Sequence, residues 1–364
     1  MYFRNRFQLF TNMINLHSRI RALDILGSHI SNYCKDSEAG KSDNFPALHA
    51  AVQRSKTANS WFTTESTKTA LEGICIFLRA NVLQLWSESN EIPQNQKHPV
   101  TVGLVMAGNL PAVGFHDLIS VIISGHRAMV KLSSDDKYLI PAMFDMLMQI
   151  EPELKDQVIF TENRLSGIDA VIATGSDNTS RYFEFYFAKY PHIIRRNRNG
   201  IGLILGDESK VELEKLADDI FLFFGLGCRS VSKIYLPMHY SPTELFRGFE
   251  GHSEIRNHSK YFNNYEYNKA IFLINGIRHF DNGFVLLREE NMISSPVAVI
   301  HYAHYETQHQ LREWINRDSD KIQVVVSANG SWPGSVPFGN AQKPDIEDYA
   351  DGINTLEFLQ KLTS

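Results

Sequence analysis

Residues 100–133 read VTVGLVMAGNLPAVGFHDLISVIISGHRAMVKLS, and the order of their apolar runs decides the fold class. VTVGLVMAG (100–108) is a continuous apolar run ending in glycine, the pattern of a buried strand that stops at a turn. FHDLISVIISG then reads as a helix closed by Gly125, since glycine is the residue preferred just past a helix end. RAMVKLS reads as a second strand. Strand, helix and strand in such quick succession form a βαβ unit, whose strands run parallel.

The same alternation continues outward. YLIPAMFDMLMQI reads as a helix, and QVIF and DAVIATGS as further strands. GIGLILGDES is another strand, followed by a helix through VELEKLADDIFLFFGLG. From Val231 to Ser327 strands and helices continue through the runs SKIYLP, KAIFLIN, FVLLRE, VAVIHY and IQVVVS, as in a second α/β lobe. Parallel, doubly wound sheets place ligand loops at the carboxyl ends of their strands. No G-x-G-x-x-G occurs, so a dinucleotide bound here is not held by the ordinary Rossmann turn. Upstream, SRIRALDILGSHISNYC and STKTALEGICIFLRANVLQLW carry apolar residues at three- and four-residue intervals and predict helices. A threonine of the preceding Trp61-Phe62-Thr63-Thr64 is placed to cap the second run. The polar stretch from Ser87 to His98, with Pro93, reads as a linker.

Composition excludes several classes. The 364 residues are 43% hydrophobic and 21% charged, with a formal net charge of -5, so no global attraction to nucleic acid or an anionic membrane is expected. No stretch reaches the ~18 apolar residues of a membrane span. The opening MYFRNRFQLFTNMINLHSRI lacks the continuous apolar core of a secretory signal. Three scattered cysteines, Cys34, Cys75 and Cys228, make neither a disulfide framework nor a Cys-rich zinc site, and point to a reducing, cytoplasmic setting.

Four features carry chemistry. Cys228 lies in FFGLGCRSVSK, where Gly225 and Gly227 allow a tight turn and Arg229 and Lys233 supply positive charge that favours a thiolate. A buried structural cysteine is the alternative. Asn109 ends the first strand; its amide suits an oxyanion, and equally a turn before Pro111. Lys131 stands at the carboxyl end of the second strand, as a cofactor ligand or a solvated lysine. Thr174-Gly175-Ser176 opens a helix, where free N–H groups attract anions.

In this order, over residues 98–364, these features resemble the aldehyde-dehydrogenase superfamily and in particular its acyl-CoA reductase branch, the luminescence-type fatty-acyl reductases of the LuxC family. MAGNLP and VKLSS are similar to the family's PWN…KPSE stretch, and IATGS to its FTGS turn. FFGLGC resembles the F-x-x-x-GQ-x-C element. REENMISSPVAVIHY resembles the E-x-FGPV strand, with two extra residues between Glu290 and Pro296. VPFGNAQKPDIEDYADGINTLEFL is similar to PFGG-x-K…G-x-x-x-YT. The resemblance implies Cys228 as nucleophile, Asn109 as oxyanion donor, and Lys131, Ser134, Thr174, Gly175, Ser176, Glu290 and Phe338 as cofactor residues. It implies an acyl-CoA or acyl-carrier thioester substrate, with a homo-oligomer or an acyl-transferring partner enzyme as the association to look for.

Two departures sharpen this. The family's ELGG glutamate, which activates water to hydrolyse the acyl enzyme, falls at IIRRNRNGIGLIL, near Arg195 or Arg196. A reductase that starts from a thioester has no use for that base, so reduction is expected rather than aldehyde oxidation. The KPSE glutamate is replaced by Ser134, which removes repulsion of a 2′-phosphate and favours NADPH, with NADH the alternative. An acyl transferase or thioesterase, or a non-catalytic acyl-binding subunit, would share the cysteine without hydride transfer. His301, His304 and His309 are set aside as metal ligands, because no compact ligand set accompanies them. Arg195, Arg196 and Arg198 are as readily a solvated run as a phosphate site, and the aromatic run RYFEFYFAKY is better read as core or a subunit contact.

The expected architecture is an aldehyde-dehydrogenase-like α/β fold of two intertwined three-layer lobes with an N-terminal helical region. The helical region is placed at 1–97, the nicotinamide-cofactor domain at 98–220 with 339–364 returning to it, and the catalytic domain at 221–338.

Overall fold

The computed structural model describes residues 14–38 and 44–363. The reading of the first residues as no secretory signal falls on 1–13 and so lies largely outside them. The chain opens with four helices: α1 (Leu16–Glu38), α2 (Pro46–Ala58), α3 (Thr64–Phe77) and α4 (Ala80–Ser89). The run STKTALEGICIFLRANVLQLW, expected to be one helix, is therefore two. Thr63 caps α3 by accepting from Ser66 N–H, and the helix stops at Leu78. Asp24 of α1 then accepts the N–H of Ala80 at 2.8 Å and caps the start of α4, so a tertiary partner breaks what the periodicity joins.

There follow β1 (Thr101–Val105), α5 (Phe115–Ser124), β2 (Arg127–Lys131), α6 (Leu139–Ile150), β3 (Val158–Phe160), β4 (Ala170–Thr174), α7 (Asp177–Phe187) and β5 (His192–Arg195). Next come β6 (Asn199–Leu203), α8 (Lys210–Phe221), β7 (Val231–Pro237), α9 (Phe246–Phe249), α10 (Ser259–Ile274), β8 (Phe280–Asp281) and β9 (Leu286–Glu289). The last elements are β10 (Val299–Tyr305), α11 (Gln308–Arg317), β11 (Ile322–Ser327), β12 (Val336–Pro337) and α12 (Thr355–Lys361).

The chain divides into two compact units: residues 1–196 with 345–364, and residues 197–344. Strand β6 and helix α8, read from sequence as part of the cofactor domain, fall in the second unit, because β6 pairs with β7 and β11.

The first unit is built on a five-stranded parallel sheet of order β3-β2-β1-β4-β5. Side chains alternate across it. Val102, Leu104, Ala128, Val130 and Ile172 join a core shared with α5, α6, the N-terminal helices and α12. Met129, Val171 and Ala173 face the other way, onto Phe183 and Phe187 of α7. Helix α7 thus splits its aromatics: Phe183 and Phe187 are packed, whereas Tyr182, Phe185 and Tyr186 are exposed. Gly125 ends α5 in the left-handed region (φ 76°), as the sequence predicts.

The second unit has a seven-stranded sheet of order β12-β11-β6-β7-β10-β9-β8, parallel except for the β8–β9 pair. Val231, Ile234 and Leu236 of β7 pack with Leu213, Leu216 and Ile220 of α8 on one face. Tyr235, Ala303 and Tyr305 pack with Leu311 of α11 on the other. Each unit thus has helices on both sides of its sheet. Of the runs read as strands and helices, KAIFLIN is the end of α10. The deciding signal lies upstream: His258 caps the helix, and the buried Tyr261, Tyr265, Asn268 and Phe272 recur at helical intervals. No helix among the described residues is long and apolar enough to cross a membrane.

Candidate active site

In the first unit, three sequence-predicted loops meet at the carboxyl ends of adjacent strands, β2, β1 and β4 in sheet order. This is where the strand order reverses, so the loops after β1 and β4 diverge and leave a crevice. Asn109 follows β1 and is exposed. Lys131 ends β2, half-buried, and its ammonium has no hydrogen-bond or ion-pair partner among the described residues. Ser134 is exposed in the loop that follows.

The β1 and β2 loops are clasped together. A Cβ on Gly108 would lie 2.5 Å from Ser133 Oγ and 2.6 Å from Ser133 Cβ, so only glycine fits. The buried Asp136 carboxylate accepts the N–H of Ala112 at 2.6 Å, and burial pushes its pKa up to about 6. Thr174-Gly175-Ser176 closes β4, and Ser176 caps α7 by accepting from Thr179 N–H. Gly175 is tight as well, since a Cβ there would stand 3.0 Å from both Thr179 Cβ and Phe183 Cε2. Gly108→Ala is expected to cost about 1–3 kcal/mol through overpacking and to loosen both clasped loops. Chemical denaturation measures the first effect and nucleotide titration the second.

In the second unit, Cys228 sits on a turn closed by the hydrogen bond from Ser230 N–H to Gly227 C=O at 3.0 Å. Cys228 is half-buried, unlike the buried Cys34. Burial pushes the Cys75 thiol up to about 12, which makes that residue inert. Helix α8, expected to run through FFGLG, stops at Phe221. Phe223 (φ 54°), Phe224 (φ 59°) and Gly225 (φ 73°) then take three successive left-handed conformations. Such conformations are unfavourable for phenylalanine and persist where the surroundings hold them. Here the Phe224 ring lies 4.3 Å from the His258 ring, centroid to centroid.

The turn itself is braced by the 338–342 segment. Ser230 Oγ accepts from Gly227 N–H and from Gln342 Nε2, and Arg229 donates through Nε to the carbonyl of Ala341. That segment is in turn held by Asp219 of α8, whose carboxylate accepts the N–H groups of Gly339 (2.7 Å) and Ala341 (2.8 Å). Burial pushes Asp219 up to about 6. From below, β6 approaches so closely that a Cβ on Gly200 would stand 2.6 Å from the Arg229 carbonyl. Sequence reading missed Asp136 and Asp219, because both look like solvated acids.

The other predicted residues are placed as follows. Glu290 extends β9 through its N–H to the Tyr302 carbonyl (3.0 Å), and its carboxylate accepts from Arg288 at 2.7 Å. Asn291 N–H and Arg288 hold that carboxyl below its usual range. Phe338 departs from expectation: only 3% exposed, its ring packs in the core of the second unit, which leaves the backbone of its loop rather than the ring for a ligand. Arg195 is buried, pairs with Asp117 at 2.8 Å and donates to Thr355 Oγ1, so it serves the fold and not a phosphate. Arg196 pairs with Glu184 on the surface. His301 and His304 bond to the carbonyls of Met292 and Tyr240, and no group of three potential metal ligands occurs among the described residues.

Residues 44–248 match the family model described as acyl-CoA reductase (LuxC). No curated protein matches the chain. Among solved structures, aldehyde dehydrogenase 21 from Physcomitrella patens, in complex with the product succinate, is similar with a TM-score of 0.65 and 12% identity, over 96% of this chain and 84% of that one. A Mycobacterium tuberculosis aldehyde dehydrogenase complexed with NAD+ gives 0.62 and 13%, over 89% and 75%. An Escherichia coli NADP dependent enzyme gives 0.60 and 12%, over 89% and 74%. At such identities the likeness establishes the fold, that of the aldehyde dehydrogenases. The family model covers more than half of the sequence, including the loops after β1, β2 and β4 and the Cys228 turn, so the chain belongs to the LuxC acyl-CoA reductase family.

Proposed function

We propose that the protein reduces an acyl-CoA to the aldehyde with NADPH through a thioester on Cys228. The observation that carries this reading is the place of the half-buried Cys228 on a braced turn. The thiolate attacks the thioester carbonyl, and the oxyanion is assigned to the Asn109 amide and a backbone N–H beside Cys228. The carbon–sulfur bond to CoA breaks and CoA leaves as the thiol, taking one proton. NADPH, when bound, supplies the hydride that turns the thioacyl carbon into that of an aldehyde. The Cys228–carbon bond then breaks, and the electron pair returns to sulfur.

The loops of the first unit suit a nucleotide. Gly108 and Gly175 let these loops pack tightly against Ser133 and against Thr179 and Phe183, Lys131 offers an ammonium with no partner among the described residues, and the N-terminus of α7 favours phosphate. Glu290 is assigned to the ribose. The preference for NADPH is supported by Ser134, which stands where a glutamate would repel a 2′-phosphate. Arg195, at or beside the place of the hydrolytic glutamate, is engaged with Asp117, which leaves the acyl enzyme to hydride.

Incubation with a labelled acyl-CoA is expected to add one acyl group on Cys228, read by mass spectrometry; an unlabelled protein would overturn the reading. Titration with NADPH and NADH is expected to give tighter binding of NADPH, and tighter NADH would reverse the cofactor assignment.

A further inference from the structure

The loop that carries Glu290 is longer than its family counterpart by two residues, yet it is fastened to the sheet at three successive points. Lys233 of β7, His301 of β10 and Arg288 of β9 lie in one cross-strand row, as the register pairs His301 with both of the others. Their side chains share the face of Tyr235 and Ala303, and the loop from Glu290 to Ile293 lies over that face. Lys233 is fully buried, and its ammonium donates to the backbone carbonyl of Glu290. His301 Nδ1 bonds the carbonyl of Met292 at 3.0 Å, and Ser232 Oγ donates to the carbonyl of Ile293 at 2.8 Å. Arg288 reaches the Glu290 carboxylate itself.

Burying an ammonium is costly, and this one has no carboxylate hydrogen-bonded to it. Desolvation lowers its pKa to about 8. An apolar residue would fill the place at lower cost, but it would leave the Glu290 carbonyl without its donor. A carbonyl only accepts, so His301 must carry its proton on Nδ1; the row is committed to gripping loop backbone.

We infer that Lys233 is a positioning residue for the cofactor: it fixes the backbone of Glu290, so that the carboxylate assigned to the ribose keeps one orientation despite the lengthened loop. This rests on the reading of Glu290 given above. The row also explains why two additional residues are tolerated, since the sheet supplies the order that the loop sequence lacks.

The test uses the full-length protein with Lys233→Met and Lys233→Arg. In Lys233→Met the KM for NADPH is expected to rise about tenfold, more than kcat falls, with Lys233→Arg recovering most of the change. Amide exchange over residues 290–294 is expected to quicken at least about tenfold, an outcome independent of any cofactor. Native KM and native exchange in a folded Lys233→Met protein would overturn the proposal, and so would a parallel loss of Cys228 acylation and NADPH affinity, which marks a general fold defect. If Lys233→Met does not fold, Ser232→Ala removes one fastening alone; it is expected to raise that KM severalfold, and an unchanged value would overturn the proposal. Loosened exchange with no NADPH binding by the native protein would instead defeat the assignment of Glu290, and leave the clamp standing.

Discussion

Cys228→Ser is expected to form no aldehyde above about one ten-thousandth of the native rate while retaining the native fold. Losing the nucleophile of a covalent mechanism has effects of that order or larger. Serine is nearly isosteric, but its hydroxyl is not ionised at neutral pH, and no neighbouring base has been assigned to it. The fold should survive because Gly227, Arg229 and Ser230 make bonds that brace the turn. Single-turnover aldehyde release from a preformed acyl-CoA complex measures the effect. Residual activity within tenfold of native would exclude Cys228 as the acyl carrier.

The largest effect on stability is expected at Asp219. Asp219→Ala leaves the N–H groups of Gly339 and Ala341 without an acceptor, and Ala341 is fully buried. Each lost bond to a carboxylate is worth about 1.5–3 kcal/mol, and relief from burying the charge offsets part of this. A net loss of about 3 kcal/mol follows, together with slower acylation, since the nucleophile turn loses its brace. The pH dependence has a definite sign. The folded-state pKa of Asp219, about 6, lies above the ordinary 3.8, so the native state binds the proton more tightly than the unfolded chain. The contribution of this carboxyl is therefore fully present below pH 3.8, declines as pH rises towards 6, and is constant above that. Asp136 adds a slope of the same sign in the same window. Denaturant unfolding of Asp219→Asn between pH 4 and 6 should show a flatter slope than the native protein. An unchanged slope would contradict the assignment.

Much of the architecture was legible because glycines punctuate apolar runs: Gly125 marks the end of α5, while Gly108 lies in the turn three residues beyond the end of β1. KAIFLIN does not by itself separate strand from helix, because an unbroken apolar run carries no period, and the helical signal lies in the tyrosines before it. The placement of Asn109, Lys131 and the Thr174 turn on neighbouring strand ends was also readable, since βαβ order fixes where such loops emerge. What sequence did not reveal are groups whose role depends on distant partners. Lys233 meets a carbonyl 57 positions away, and Asp219 meets an N–H 120 positions away. Locally both resemble ordinary surface charges. Phe338 shows the converse, a motif residue whose ring the fold has taken into its core.

Helix α12 has a consequence for how the protein comes to exist. Leu356 and Leu359 complete the core of the first unit, Leu359 C=O meets the buried His126, and Tyr349 meets Trp86 at 2.6 Å. These residues are translated only after the whole of 197–344, an interval of roughly ten to thirty seconds at ordinary elongation rates. Until then the flank of α5 is bare, so the unit begun before residues 197–344 is completed only after them. A nascent chain therefore keeps apolar surface open to chaperones while 197–344 are made, and a chain cut before residue 345 lacks the seal on its first unit.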